Sequence, residues 1–292
     1  MEKKLAFLGP RGTFSEEAAR SLPIPGQIDY LPQPTIIDVL EAVWNDKAEL
    51  GIVPMENSIE GTVNSTMDWL IHQVDLPILA ELALPISQHL VVAKREEPLP
   101  FEKITKILSH PHAIPQCHKF IKEFLPHAAL ETVSSTAKAA QIVSEHPEET
   151  WAAIGTKLTP EIYPLQFARQ NIEDFPNNYT RFVLVSKQPV ELPPSDKEKT
   201  TILITLPEDF PGALYQVLAA FAWRKINLSR IESRPTKRGL GSYYFIIDIE
   251  QRMDDVLLPG AFAEIEAIGC EIRQLGTYPL FTYQHKSEHQ TV

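Results

Sequence analysis

Residues 188–199, QPVELPPSDKEK, divide this chain of 292 residues into two unequal parts. The segment is polar, holds three prolines and has no apolar periodicity, so 189–199 reads as a linker of limited flexibility. Before it, strand-like and helix-like runs alternate. Strands are expected at 5–8, 50–54, 88–93, 107–109, 152–154 and 181–185, and helices from Thr13 and at 35–45, 63–73, 114–124 and 136–144. Such alternation predicts an α/β fold with largely parallel sheets. After the linker the order changes. Strand 201–206, helix 212–225, strands 228–234 and 242–250, helix 257–268 and strand 271–277 give βαββαβ, the ferredoxin-like arrangement. A sheet that small leaves edges and a face that a second copy can cover, and residues 282–292 read as a flexible polar tail.

Composition narrows the function. The formal net charge is −11, and residues 1–188 alone hold 16 basic against 24 acidic side chains. A nucleic-acid partner needs a basic face to displace counterions, so that class is excluded. Two cysteines, Cys117 and Cys270, make neither a disulfide framework nor a zinc cluster, which points to a reducing, cytoplasmic setting. No stretch approaches the ~18 apolar residues of a membrane span, and the N-terminus lacks the apolar run of a signal peptide. Twenty-five prolines against 12 glycines indicate many pre-set corners and few flexible ones.

Three segments pair a small or hydroxyl residue with a helix start: GPRGTFS (9–15), ENSIEGT (56–62) and SSTA (134–137). Free amides and the positive end of the helix dipole suit a carboxylate or phosphate there, although Thr13, Thr62 and Ser134 or Ser135 also fit plain helix caps. Thr13 and Glu16 have the spacing of a capping box. GPRGT lacks the GK[ST] of a P-loop. In NNYTRF (177–182) adjacent Thr180 and Arg181 face opposite ways on a regular strand, so both serve one site only where Thr180 lies at an irregular strand entrance. There an arginine fork could hold a carboxylate and a threonine hydroxyl could donate to a leaving oxygen. His110, His112 and Cys117 in SHPHAIPQC suggest a metal, but the spacing suits no known ligand pattern and no second cluster completes the set. No nucleophile elbow is present, and neither cysteine reads as flanked by a basic group that would depress its pKa.

Taken in order, GPRGTFSEEAA (9–19), VPMENSIEGTV (53–63), SHPHAIPQC (109–117), STAKAA (135–140) and NIEDFPNNYTRF (171–182) resemble the prephenate dehydratase family. GALYQVLAAFAWRKINLSRIESRP (212–235) is similar to the ACT-type regulatory domain that follows in these enzymes. No chorismate mutase segment is seen, so the resemblance is to the monofunctional form. It implies a catalytic domain over 1–188 with two α/β lobes, like periplasmic solute-binding proteins. One lobe would be 1–79 with 174–188 and the other 80–173, followed by an ACT domain over 200–281.

The resemblance also implies the chemistry. Prephenate loses CO2 and its ring hydroxyl to give phenylpyruvate on the way to L-phenylalanine, driven by aromatisation and needing neither cofactor nor metal. Thr180 would act on the leaving hydroxyl, and Arg181 would hold a carboxylate. Asn57, Ser58, Glu56, Ser109, Gln116, Thr13, Asn178 and Phe182 would complete the substrate site. Phenylalanine would bind as feedback inhibitor at Gly212, Ala213, Leu214, Asn227, Leu228, Glu232, Ser233, Arg234 and Pro235, in a homodimer or homotetramer. Arogenate dehydratase and a non-catalytic amino-acid or solute sensor on the same fold remain alternatives.

Overall fold

The computed structural model describes residues 2–207, 210–236, 243–252 and 256–283. The chain separates into two units, Met1–Asp75 with Leu82–Val183 and Thr282–Val292, and Leu76–Glu81 with Leu184–Phe281. In chain order the elements begin β1 (Lys3–Leu8), α1 (Phe14–Ser21), β2 (Ile28–Gln33), α2 (Ile36–Trp44), β3 (Leu50–Asn57), β4 (Gly61–Thr62) and α3 (Asn64–His72). They continue with β5 (Ile78–Pro85), β6 (His89–Ala93), β7 (Lys106–Ser109), α4 (Ala113–Gln116), α5 (His118–Phe124), β8 (Ala129–Thr132) and α6 (Thr136–Glu145). Then come β9 (Trp151–Gly155), α7 (Thr159–Ile162), β10 (Leu165–Arg169) and β11 (Tyr179–Val185). The last elements are β12 (Glu198–Thr205), α8 (Ala213–Ala222), β13 (Leu228–Pro235), β14 (Tyr243–Ile249), α9 (Leu257–Ala267) and β15 (Glu271–Thr282).

In the first unit β1 lies between β2 and β3 and is parallel to both, with β11 on the far side of β3. Leu5, Ala6 and Phe7 of β1 are wholly buried, as expected for a strand covered on both faces. The second sheet has the order β10-β6-β9-β7-β8. Alternation along its strands splits its core in two. Leu90, Val92, Ile107, Ala152 and Ile154 pack with Cys117 and Ile121, while Val91, Leu108 and Ala153 pack with Ala139, Ala140 and Val143 of α6. The sheet is mixed rather than largely parallel, because β6 is antiparallel to both β9 and β10. The chain enters this sheet along β6 and leaves along β10, and the two lie side by side.

The two crossings between these sheets are tied to each other. Ile172 N–H donates to the Gln88 carbonyl, Ile86 N–H to the Asn178 carbonyl, and Gln88 N–H to the Glu173 carboxylate. The single helix expected at 114–124 is broken at Cys117, because Asp174 from the second crossing takes its backbone groups. Asp174 N–H donates to the Gln116 carbonyl, and the Asp174 carboxylate accepts from Lys119 N–H at 3.1 Å.

The second unit is the expected βαββαβ, folded as an antiparallel sheet of order β13-β14-β12-β15. Val217, Phe221, Leu258 and Ile265 from its helices cover one face through Ile202, Ile204, Ile247 and Ile249. The other face carries a buried polar set, in which Thr201 Oγ1 donates to Asp248 Oδ1 at 2.8 Å and lies 2.6 Å from the Tyr278 hydroxyl. β12 starts at Glu198, so the strand takes up the last two residues of the expected linker. The reason is Lys199, whose ammonium meets both carboxylate oxygens of Glu81 at 3.0 Å, both side chains being buried. A Cβ on Gly276 would lie 2.3 Å from the Ile78 carbonyl oxygen, so only glycine allows β15 to approach the start of β5. β15 continues to Thr282 and Tyr283 N–H donates to the Ala83 carbonyl, so the first two residues of the expected tail are held in the fold; residues 284–292 of that expectation lie outside the described residues. Among the described residues no helix is long and apolar enough to cross a membrane.

Removing one partner of a buried ion pair strands the other charge. Lys199→Met or Glu81→Leu alone is expected to destabilise the second unit by about 3 kcal/mol. The double variant should recover most of that loss, as read from urea unfolding.

Candidate active site

β3 ends at Asn57 and turns back into β4, and the asparagine side chain organises that turn. Asn57 Oδ1 accepts from Ile59 N–H at 2.9 Å and from Glu60 N–H at 3.0 Å. Two backbone donors on the oxygen fix which end of the carboxamide is which. The Nδ2 end therefore faces β11, where it lies 2.8 Å from Asn178 Oδ1 and 2.9 Å from Thr180 Oγ1. Thr180 is buried, 8% exposed, and its oxygen is an acceptor in this bond. Its own proton has no acceptor among the described residues, so the hydroxyl is left as a donor.

Around this pair runs a polar seam. Ser58 Oγ accepts from Tyr179 N–H at 3.0 Å, and Ser58 N–H donates to the Tyr179 carbonyl. Asn178, buried at 1% exposure, donates through Nδ2 to Gln116 Oε1 of α4 at 3.2 Å and so joins the two sheets. Gln116 Oε1 also lies 3.4 Å from Gln88 Nε2, so its oxygen faces inward and its amide hydrogens face outward. Thus Asn57, Ser58, Gln116, Asn178 and Thr180 meet at one place, from the end of β3 and its turn, from α4, and from the start of β11 and the residue before it.

Other expected residues are placed differently. β11 starts at Tyr179, directly after the loop that ends at Asn178, so Thr180 is its second residue. Neighbours on a regular strand alternate, and the two residues pair separately: Thr180 with Asn57, and Arg181 with Glu56. The Arg181 Nη1–Glu56 Oε2 distance is 2.7 Å. Phe182 follows Thr180 by two positions and is in the core, 2% exposed. Ser109 is fully buried and its hydroxyl donates to the Ile154 carbonyl at 3.1 Å, which leaves its oxygen to accept. Thr13 caps α1, donating to the Leu8 carbonyl at 2.9 Å and accepting from Glu16 N–H at 3.4 Å.

The expected capping box is displaced by one residue. Glu16 Oε2 accepts from Gly12 N–H at 2.7 Å while Oε1 holds Arg20 at 2.6 Å, so a carboxylate of the chain already occupies this amide. Ser135 likewise caps α6 through Lys138 N–H. The same Gly12 loop bridges to the second sheet, with Thr156 Oγ1 donating to the Gly12 carbonyl at 2.9 Å and Tyr163 to the Arg11 carbonyl at 3.3 Å. A second bridge escaped the sequence reading: His112 Nδ1 lies 2.7 Å from Glu60 Oε1. Its sequence signal is the histidine pair, whose residue types suggest a metal and whose spacing argues against one. Among the described residues no group of three or more His, Cys, Asp or Glu could hold one.

In the second unit Gly212 precedes α8 with φ 95°, a left-handed conformation suited to glycine, and Ala213 is the buried first residue. Leu214 follows it on α8. Asn227 Nδ2 donates to Glu250 Oε2 at 2.5 Å, and Leu228 opens β13. Along β13 exposure alternates, so Arg230, Glu232 and Arg234 share one face and Ser233 and Pro235 the other. Glu232 is paired with Arg230 and, at 2.9 Å, with Arg234 Nε.

A two-sheet α/β unit with a hydroxyl–amide seam, followed by a βαββαβ unit, defines a two-part α/β enzyme with a C-terminal module. Residues 5–190 match the family model for prephenate dehydratase, and residues 200–258 match that for the ACT domain. The chain belongs to the prephenate dehydratase family. It is 44% identical to prephenate dehydratase of Bacillus subtilis over 281 residues, 94% of this chain and 98% of that protein. The crystal structure of prephenate dehydratase from Arthrobacter aurescens in complex with L-Phe matches with a TM-score of 0.83 at 37% identity, over 94% of this chain and 90% of that one. GqqA, described as a novel type of quorum quenching acylase, matches with a TM-score of 0.81 at 29% identity, over 95% and 98%.

Two buried titratable groups lie outside the seam. Burial lowers His89 to about 4, helped by Lys157, so it is neutral and Nδ1 accepts from Asn171 N–H. Burial raises Glu17 to about 7, with Lys157 pulling it down and Glu161 pushing it up. The folded chain therefore binds this proton more tightly than the unfolded chain, whose value is near 4.5. The stability Glu17 contributes is complete below about 4.5 and is lost as pH rises through about 7. Glu17→Gln, neutral at every pH, is expected to exceed the wild type by up to about 3 kcal/mol at pH 8. The difference should shrink toward zero as pH falls below about 4.5, with urea unfolding at pH 8 and in that range as the measurement.

Proposed function

We propose that this enzyme converts prephenate to phenylpyruvate, CO2 and water, with Thr180 as the group that assists the departing hydroxyl. The observation that carries this reading is the Asn57 amide, which donates to Thr180 Oγ1 and so leaves the threonine proton for another oxygen. In the reaction the bond to the ring carboxylate breaks as CO2, and its electron pair enters the ring. The C4–O bond breaks, and the leaving oxygen takes a proton to become water. An unassisted threonine is a weak acid, so Thr180 acts through a strong hydrogen bond to that oxygen, with the proton replaced from solvent. The outward amide hydrogens of Gln116, with Ser58, bind polar atoms of the substrate, while Asn57, whose carboxamide is bonded at both ends, acts by orienting Thr180.

Arg181 is the proposed carboxylate ligand, preferably for the pyruvyl group. Clamping the carboxylate that leaves would stabilise the ground state. The substrate would have to replace Glu56 on the guanidinium, since that pair is already formed. Ser109, Thr13, Asn178 and Phe182 shape the site around these contacts. We further propose a catalytic domain over 1–188 and a regulatory domain over 200–281, acting in a cytoplasmic homodimer or homotetramer of the phenylalanine pathway. L-Phenylalanine is its feedback inhibitor, bound at 212–214, 227–228 and 232–235. The L-Phe complex of the Arthrobacter aurescens enzyme supports that ligand. Inhibition follows where the ligand favours the inactive arrangement.

The acylase description of GqqA invites a second reading, in which Thr180 attacks an acyl group. Attack needs a base within reach, whereas the side-chain group bonded to its oxygen is an amide donor. Prephenate, arogenate and an acyl amide offered to the purified enzyme separate these activities, and prephenate turnover inhibited by phenylalanine is expected. Thr180→Ala should lower kcat on prephenate by at least about 100-fold, while Thr180→Ser stays within about tenfold. A Thr180→Ala enzyme with near-normal kcat removes the proposed role.

A further inference from the structure

Glu60 and His112 have no part in the reaction proposed above, yet they connect its two walls. Glu60 belongs to the turn after β3, where its own N–H helps hold Asn57 Oδ1. His112 precedes α4, which carries Gln116. Their side chains meet at 2.7 Å, with Glu60 43% and His112 62% exposed. Three further bridges between the two sheets end on backbone carbonyls or a neutral amide: Thr156 to Gly12, Tyr163 to Arg11, and Asn178 to Gln116. The Glu60–His112 bridge differs in joining ionisable side chains at the surface, so it can break and re-form without exposing a core. His110 stands beside it, its Nδ1 facing His112 N–H at 3.3 Å and its ring 5.0 Å from that of His112.

The bonds form a short relay. His112 holds the Glu60 carboxylate, the Glu60 N–H holds Asn57 Oδ1, and Asn57 Nδ2 holds Thr180 Oγ1. We propose that Glu60 and His112 are a positioning pair, which keeps the Asn57 turn and the Gln116 helix in register for substrate entering between them. This rests on the dehydratase reading of the seam. Substrate bound to both segments takes over the tie, so the pair acts on substrate capture rather than on the chemical step.

The test uses Glu60→Gln, His112→Gln and the exchanged double variant Glu60→His with His112→Glu. With prephenate, each single variant should raise KM about threefold to fivefold, the range of an exposed side-chain pair, with kcat within about twofold. The exchanged pair should return KM toward wild type. Hydrogen exchange of the Ile59 and Glu60 amides, measured without substrate, should quicken in the single variants and slow again in the double. Single variants with wild-type KM and wild-type exchange overturn the pair's role. A wild-type enzyme that does not turn over prephenate overturns the dehydratase reading instead, and amide exchange still decides the pair.

Discussion

The carboxamide of Asn57 is the joint on which the site depends. Two backbone N–H groups fix its oxygen and thereby aim its nitrogen at Thr180 and Asn178. A hydroxyl that accepts from a fixed donor has a direction, and a threonine in a buried strand otherwise has little reason to present its proton to a ligand. The cost of burying this polar set is offset because each member satisfies another. Asn178, almost wholly buried, is bonded through both ends of its amide.

Charge follows the same logic. The catalytic half is net acidic, which is a poor setting for a dianion, and its local cationic and amide groups are already held by the chain's own carboxylates. Glu56 is on Arg181, and Glu16 is on both Arg20 and Gly12 N–H. On the proposed reading, a carboxylate ligand at Arg181 would have to exchange with a resident one rather than fill bare positive charge. The second unit uses buried charge differently. Lys199 and Glu81 are both sealed from solvent and fully paired, an arrangement that specifies one register of β12 more than it adds stability.

Much of this was legible in the sequence. The alternation before residue 188 and the βαββαβ order after it gave both fold classes, and hydroxyl caps at Thr13, Thr35 and Ser135 start helices as their chemistry dictates. Strands β2, β5, β8 and β10 were not legible. IDYLPQ contains a proline, ILAELALP has the composition of a helix, and ALET is exposed along its whole length, so none shows the period of a half-buried strand. The break at Cys117 depends on Asp174, 57 positions away, and the Thr180 and Arg181 partners lie more than 120 positions away. Residues 9–15 looked like an anion loop because a sequence does not say whether the anion will be the chain's own Glu16.

Because Asn57 is held to act through Thr180, a double-mutant cycle on kcat is the most direct measurement. The four proteins are wild type, Asn57→Ala, Thr180→Ala and the double variant, each assayed at saturating prephenate. Asn57→Ala should slow the wild-type enzyme markedly and have almost no further effect once Thr180 is gone. Losses that simply multiply in the double variant would mean that the amide and the hydroxyl act independently, and would contradict the arrangement described.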